Sequence, residues 1–363
     1  MEGNGANLFF PLFFLLSLLF TVSDSRRAPA MFIFGDSLID NGNNNFIPTI
    51  ARANFLPYGI DMGFPTGRFS NGLTVTDYGA QLLDLPFPAP YLSWQSHTSG
   101  LLHGANFASA AAGILDSTGR HYGARITFNG QIALFKKAAT TQLPSLIPGP
   151  KDLEDYLSSS IFVVNIGSND YINNYLLPNL YSSSRDYTPE GFADLLISNF
   201  EQQLTSLYGL GARKMVLVGI GPLGCIPSQL YQRNSIDGSC ITAVNDAISL
   251  FNERLPGLRA KLNSNLPGSF FVIEEIYNTF MDMIQNPANY GFEVSNQACC
   301  GNGRFGGELS CLPLQNPCLS RDQHIFWDSF HPTQAANKII AERCYTKEAT
   351  DCHPISGYQL SQI

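Results

Sequence analysis

Apolar runs of one build recur along the chain. Phe32-Ile33-Phe34 stops at Gly35, and Ser37 follows two residues later, ahead of a loop crowded with asparagine and glycine. Residues 161–166 repeat the design and end at Gly167, before Ser168, Asn169 and Asp170. Residues 214–220 and 270–274 are two more such runs, and residues 103–108 a shorter one. Apolar runs without alternation predict parallel strands buried on both faces. Between them the period changes. Thr188-Pro189-Glu190 is a cap with proline at the first helical position; Phe192, Leu195, Leu196, Phe200, Leu204 and Leu207 then recur at helical spacing until Gly209 and Gly211. Helices are also predicted over 74–83, 130–139 and 241–264, the last kinked at Pro256, and from just after Thr333 to about Cys344. Strands alternating with helices predict one α/β domain over residues 26–363. It is a three-layer α/β/α sandwich around a mostly parallel, five-stranded sheet. Ligands of open α/β sheets bind outside the carboxyl ends of the strands, where Ser37 and Asn169 both fall.

Two stretches lack either period. Residues 41–72 are rich in Asn, Gly and Pro, and residues 286–324 hold four cysteines, which predicts a long insertion stapled by disulfides. Residues 8–22 are nearly all apolar but too short to span a bilayer, and Ser23 and Ser25 follow at peptidase spacing. Residues 1–25 are therefore expected to be a signal peptide, leaving a secreted, extracellular protein with no stable membrane insertion after cleavage. The eight cysteines fit that address. Cys225 and Cys240 suit a local loop, and Cys299 to Cys318 suit two interleaved bridges, although spacing leaves the connectivity open.

Composition narrows the function. Of 363 residues, 44% are hydrophobic and 14% charged, enough apolar material for a large core. Net charge is −8 with no basic block, which argues against nucleic acid as a partner. Loss of residues 1–25 leaves 21 basic against 27 acidic residues, a net charge of −6. The sequence has no CxxC, HExxH or P-loop pattern, so neither a metal nor another cofactor is expected. G-x-S-x-G is missing too, which removes the usual α/β-hydrolase elbow.

A serine nucleophile needs a base, a carboxylate to orient that base, and donors for the oxyanion. Of six histidines, only His331 follows an aspartate at three residues, in Asp328-Ser329-Phe330-His331-Pro332-Thr333. That spacing, in a turn entering a helix, lets the carboxylate reach the imidazole. Ser37, His331 and Asp328 are thus the candidate chemistry. Asp36 is expected to be structural, its side chain pointing away from that of Ser37 on extended backbone.

These pieces resemble the plant branch of the GDSL esterase/lipase family within the SGNH hydrolases. The resemblance rests on Gly35-Asp36-Ser37-Leu38 with Asp40-Asn41-Gly42-Asn43-Asn44-Asn45, then Gly67-Arg68-Phe69-Ser70-Asn71-Gly72. Asn106-Phe107-Ala108-Ser109 through Gly113-Ile114 follows, then Gly167-Ser168-Asn169-Asp170, and finally 328–333. It implies a flavodoxin-like SGNH fold and a cofactor-independent serine esterase acting on a small-molecule or lipid ester. It also implies roles: Ser37 as nucleophile, His331 as base and then acid, Asp328 as orienting carboxylate. The backbone N–H groups of Ser37 and Gly113 and the side-chain amide of Asn169 would hold the oxyanion. One departure stands out: Ala110 and Ala111 occupy the place where the family commonly has a glycine pair, which leaves Gly113 as that block's glycine. An acyltransferase would use the same triad, and a catalytically silent binding protein would keep only the fold. Pocket walls are expected from the loops around 41–72, 171–188 and 286–324. Phe46, Phe64, Tyr171, Tyr175 and Tyr181 are candidates for an acyl groove or for packing.

Overall fold

The computed structural model describes Met1, residues 27–94 and residues 98–363; the expected signal peptide falls outside the described residues, save for Met1. Five parallel strands form the core sheet: β1 (Met31–Gly35), β2 (Gly104–Asn106), β3 (Ile161–Asn165), β4 (Lys214–Val218) and β5 (Phe270–Glu274). Their order across the sheet is β5-β4-β3-β1-β2. A sixth, antiparallel strand, Cys352–His353, adds to the expected five by pairing with β5. It has two residues, too few to show a period, and the Cys344–Cys352 disulfide ties it to the preceding helix.

Nearly every position of β1 to β5 is buried, which explains their unbroken apolar runs. Phe34 stacks on Phe107 at 5.1 Å between ring centroids and Phe32 on Phe162 at 5.2 Å, so one aromatic layer joins β1, β2 and β3. The chain winds from β1 to β2 on one side and returns to β3 on the other. The order therefore reverses between β1 and β3, which opens a crevice at their carboxyl ends.

The helices cover both faces with small changes from expectation. The capping box at Thr74 and Asp77 starts Val75–Leu82, and Pro189–Gly209 follows its Thr188 cap. The predicted kinked helix is two helices, Thr242–Asn252 and Leu255–Asn265, with Pro256 in the first turn of the second. Proline has no N–H to continue the first helix and is at home at the start of another. Pro150–Ser159, Ile276–Gln285 and Gly357–Gln362 are helices that the sequence reading lacks.

The stapled insertion corrects one expectation. Its bridges, Cys300–Cys311 and Cys299–Cys318, are nested rather than interleaved. A small antiparallel ladder pairs Gly301 with Ser310, which sets Cys300 opposite Cys311 and leaves the outer pair to close around it. Cys225–Cys240 closes the local loop expected of it.

Candidate active site

The turn after β1 is fixed from several sides. Gly35 is obligatory, because a Cβ there would lie 2.1 Å from the Asn165 carbonyl oxygen. Gln131, from the helix Phe128–Lys137, grips Gly35 at both ends: its Oε1 accepts from the Gly35 N–H and its Nε2 donates to the Gly35 oxygen, each at 2.8 Å. Gln131 is fully buried, yet in sequence it reads as one polar residue of a helix. The asparagine-rich loop is a brace. Asn43 Nδ2 donates to the carbonyls of Asn106 and Ala108, and Asn44 Oδ1 accepts from Ser109 Oγ. Asp40 accepts from the N–H groups of Gly42, Asn43 and Ala110, and burial nevertheless pushes its carboxyl up to about 6.

Ser37 meets residues from the far end of the chain. The turn at 328–333 lies between the short strand His324–Phe326 and the helix Gln334–Tyr345. Asp328 Oδ1 accepts from His331 Nδ1 at 2.8 Å, and from the N–H groups of Phe330 and His331 at 2.8 Å each. With Nδ1 donating to the carboxylate, Nε2 keeps its lone pair and accepts from Ser37 Oγ at 2.7 Å. Phe69 packs over the imidazole at 5.0 Å between ring centroids.

Tyr58 is a contributor that the sequence reading missed. Its buried hydroxyl donates to Asp328 Oδ2 at 2.6 Å. Burial and the Asp328 charge hold the phenol well above its ordinary pKa, so it stays a donor. Burial alone would raise the Asp328 carboxyl. The imidazole, Tyr58 and the turn's backbone N–H outweigh that and hold it below its ordinary value. A fully buried carboxylate is thereby kept charged.

Asn169 follows β3 on the same sheet edge. Its Nδ2 donates to the Ala112 oxygen at 3.0 Å, its Oδ1 accepts from Asn173 Nδ2 at 2.6 Å, and its amide also lies against the Asp36 carboxyl. Asp170 ties down the loop after β2 by accepting from the N–H groups of Ile114 and Leu115 and from Thr118 Oγ1. Gly113 serves that tie: a Cβ there would come within 2.6 Å of both Asp170 carboxylate oxygens. Gly113 lies outside the cavity lining, whereas Ala110 and Ala111 are part of it. Ala111 has φ +65°, a left-handed conformation uncommon for alanine. Among the described residues, the N–H groups of Ser37 and Ala111 make no hydrogen bond to protein.

A cavity of about 310 Å³ opens over Ser37, with Phe55, Phe69, Ile172, Leu223, Phe280 and Phe330 among its apolar walls. Phe55 and Phe69 come from the loop at 41–72, and Leu309 and Leu312 from the stapled insertion also line it. Tyr171, Tyr175 and Tyr181 are buried in packing, Phe46 and Phe64 are exposed, and none of the five lines the cavity. Asp36 does line it. Its carboxylate accepts from the Leu38 N–H and faces the Asn169 amide, and burial nevertheless pushes the carboxyl up to about 7. Two groups of side chains lie close enough to share an ion, Cys299–Cys318–His324 and Glu274–Cys344–Cys352. Their cysteines are all in disulfides and offer no thiolate.

Residues 31–344 match the model of the GDSL-like Lipase/Acylhydrolase family. GDSL esterase/lipase 7 of Arabidopsis thaliana is 59% identical over 338 residues, covering 93% of each chain. GDSL esterase/lipase At1g71250 of the same plant is 48% identical, covering 94% of this chain and 91% of its own. Among solved structures, phospholipase A1 from Streptomyces albidoflavus NA297 covers 86% of this chain and 94% of its own, at 14% identity and a TM-score of 0.33.

Proposed function

The chain belongs to the GDSL-like lipase/acylhydrolase family of ester hydrolases, and from that premise we propose that it works through a Ser37–His331–Asp328 triad and an acyl-enzyme. The observation that carries this reading is the unbroken path from Asp328 through His331 to Ser37 Oγ, at 2.8 and 2.7 Å, on the floor of an apolar cavity. Ser37 Oγ attacks the ester carbonyl while His331 Nε2 takes its proton. The imidazolium then protonates the leaving alkoxide. Water enters, gives its proton to His331 and attacks the acyl carbon; the Ser37 Oγ–acyl bond breaks, Oγ takes the proton back from His331, and the acid leaves.

The oxyanion falls to three donors: the N–H of Ser37, the side-chain amide of Asn169 and the N–H of Ala111. Ala111 takes the place expected for Gly113, because it lines the cavity and Gly113 does not. Its left-handed backbone, uncommon for alanine, supports a special role for this turn. Removing one such donor typically costs about 10²–10³ in kcat. Secretion belongs to the same proposal, supported by four disulfides and by the apolar run at 8–22.

Hydrolysis of a soluble p-nitrophenyl butyrate by Ser37→Ala tests the reading. The variant is expected to lose about 10⁶-fold in kcat while melting like the wild type. Retained turnover in a folded variant would move the nucleophile elsewhere.

A further inference from the structure

The mouth of the cavity carries an exposed apolar rim that hydrolysis itself does not require. Ile50, Leu309 and Leu312 line the cavity and are still 77%, 55% and 46% exposed. Leu56 and Leu314 extend the rim outward, 42% and 83% exposed, and the Leu314 N–H donates to the Leu56 carbonyl at 2.8 Å. Each is the chain neighbour of a lining residue, Phe55 or Pro313. Charge is almost missing from these segments. Arg52 is the one charged residue between positions 41 and 60, and positions 309–319 hold none. Contiguous exposed apolar surface of this kind marks an interaction site.

Two details show a display surface. Leu314 has φ +61°, a conformation that glycine or asparagine adopts more readily, yet the chain holds a leucine there, facing solvent. Behind it the loop is pinned by the nested disulfides, and Tyr58 Oη lies 3.4 Å from Ser310 Oγ. The leucines are therefore presented on a rigid support.

We propose that this rim docks on the surface of a zwitterionic lipid aggregate and delivers an acyl ester from it to Ser37. The proposal rests on the ester-hydrolase reading of the cavity. The rim is continuous with the apolar walls, so an acyl chain would pass from one apolar medium to another without crossing water. Esters with chains long enough to fill such a cavity reside in aggregates. A chain expected to carry a net charge of −6 after loss of residues 1–25 is repelled by an anionic surface, and Arg52 is the rim's single cation, which selects a surface without net charge. No helix among the described residues is long and apolar enough to cross a membrane, so the contact is interfacial.

The test uses Ser37→Ala protein, which leaves the lipid intact, in flotation with phosphatidylcholine vesicles. It is compared with the same protein carrying Leu56→Asn and Leu314→Asn; asparagine suits the backbone at position 314. The expected result is vesicle binding by the parent and at least about tenfold weaker binding by the double variant, from loss of two inserted aliphatic side chains. In an otherwise wild-type background, the double variant should keep its turnover of soluble p-nitrophenyl butyrate and lose about tenfold on vesicle-borne long-chain ester. Equal binding by both proteins, or none by either, overturns the proposal. So does a concentration-dependent dimer that the double variant abolishes without any vesicle binding by the parent. A wild type that floats with vesicles but turns over no soluble ester would instead defeat the hydrolase reading beneath it.

Discussion

Asp328 is fully buried near the β1/β3 crevice, and Glu274, 1% exposed, ends β5 toward the other side of the same sheet. Asp328 receives donors on both oxygens, from His331, Tyr58 and two backbone N–H groups, and stays charged. Glu274 has no partner on either oxygen. Burial pushes its carboxyl up to about 8, with the Asp351 charge adding to the rise. The difference teaches that burial alone does not decide the charge of a carboxylate here: the imidazole and the donors together outweigh it at Asp328, donors without a cation do not at Asp40, and Glu274 has neither. The acid proposed to orient the imidazole is surrounded by donors, whereas a buried acid without donors is stored as a neutral group.

The strongest break of this contrast is Asp328→Asn. The amide keeps the shape but loses the charge, and it lets the imidazole settle in the wrong tautomer. Steady-state kinetics on p-nitrophenyl butyrate should show kcat down about 10⁴-fold. A loss under tenfold would mean that Asp328 does not orient the base. Tyr58→Phe is milder. It removes one charge-assisted hydrogen bond, and kcat/KM should fall about tenfold. An unchanged kcat/KM would reduce Tyr58 to packing.

Glu274→Gln sharpens the other side and should leave turnover unchanged. A carboxyl whose folded pKa is raised contributes stability below its unfolded pKa and loses it as pH rises through the folded value. The wild type should therefore lose stability from about pH 4.5 to about 8 on account of Glu274. The glutamine variant, which cannot ionise, should melt a few degrees higher at pH 8, and its advantage should shrink toward pH 4.5. Equal melting temperatures across that window would mean that Glu274 is solvated or paired in solution.

How far the sequence reached follows from what each residue depends on. β1, β3, β4 and β5 were legible because buried parallel strands need unbroken apolar runs. Ser37 and Asn169 were legible because each follows a strand end marked by glycine, at 35 and 167. His331 and Asp328 share one turn, so their spacing carried the signal. Tyr58 was not legible: it lies 270 positions from Asp328, in a loop without period, and only the folded chain brings them together. Ala111, the donor proposed above, was hidden for another reason. The family resemblance asks for a glycine in that block, which pointed to Gly113, whereas a Cβ at Gly113 would meet Asp170 and the left-handed backbone falls on an alanine. Gln131 was hidden by its place on a helix, where a buried glutamine looks like any other polar residue. The nested bridges depended on a two-residue ladder, too short for any pattern.

The central claim is that Asp328 and His331 turn Ser37 into an acyl-accepting nucleophile. The most direct measurement is labelling with a fluorophosphonate, followed by peptide mass spectrometry of the wild type and of His331→Ala. The account predicts a single adduct on Ser37 in the wild type and none in the histidine variant. An adduct on another serine, no adduct at all, or equal labelling without His331 would contradict it.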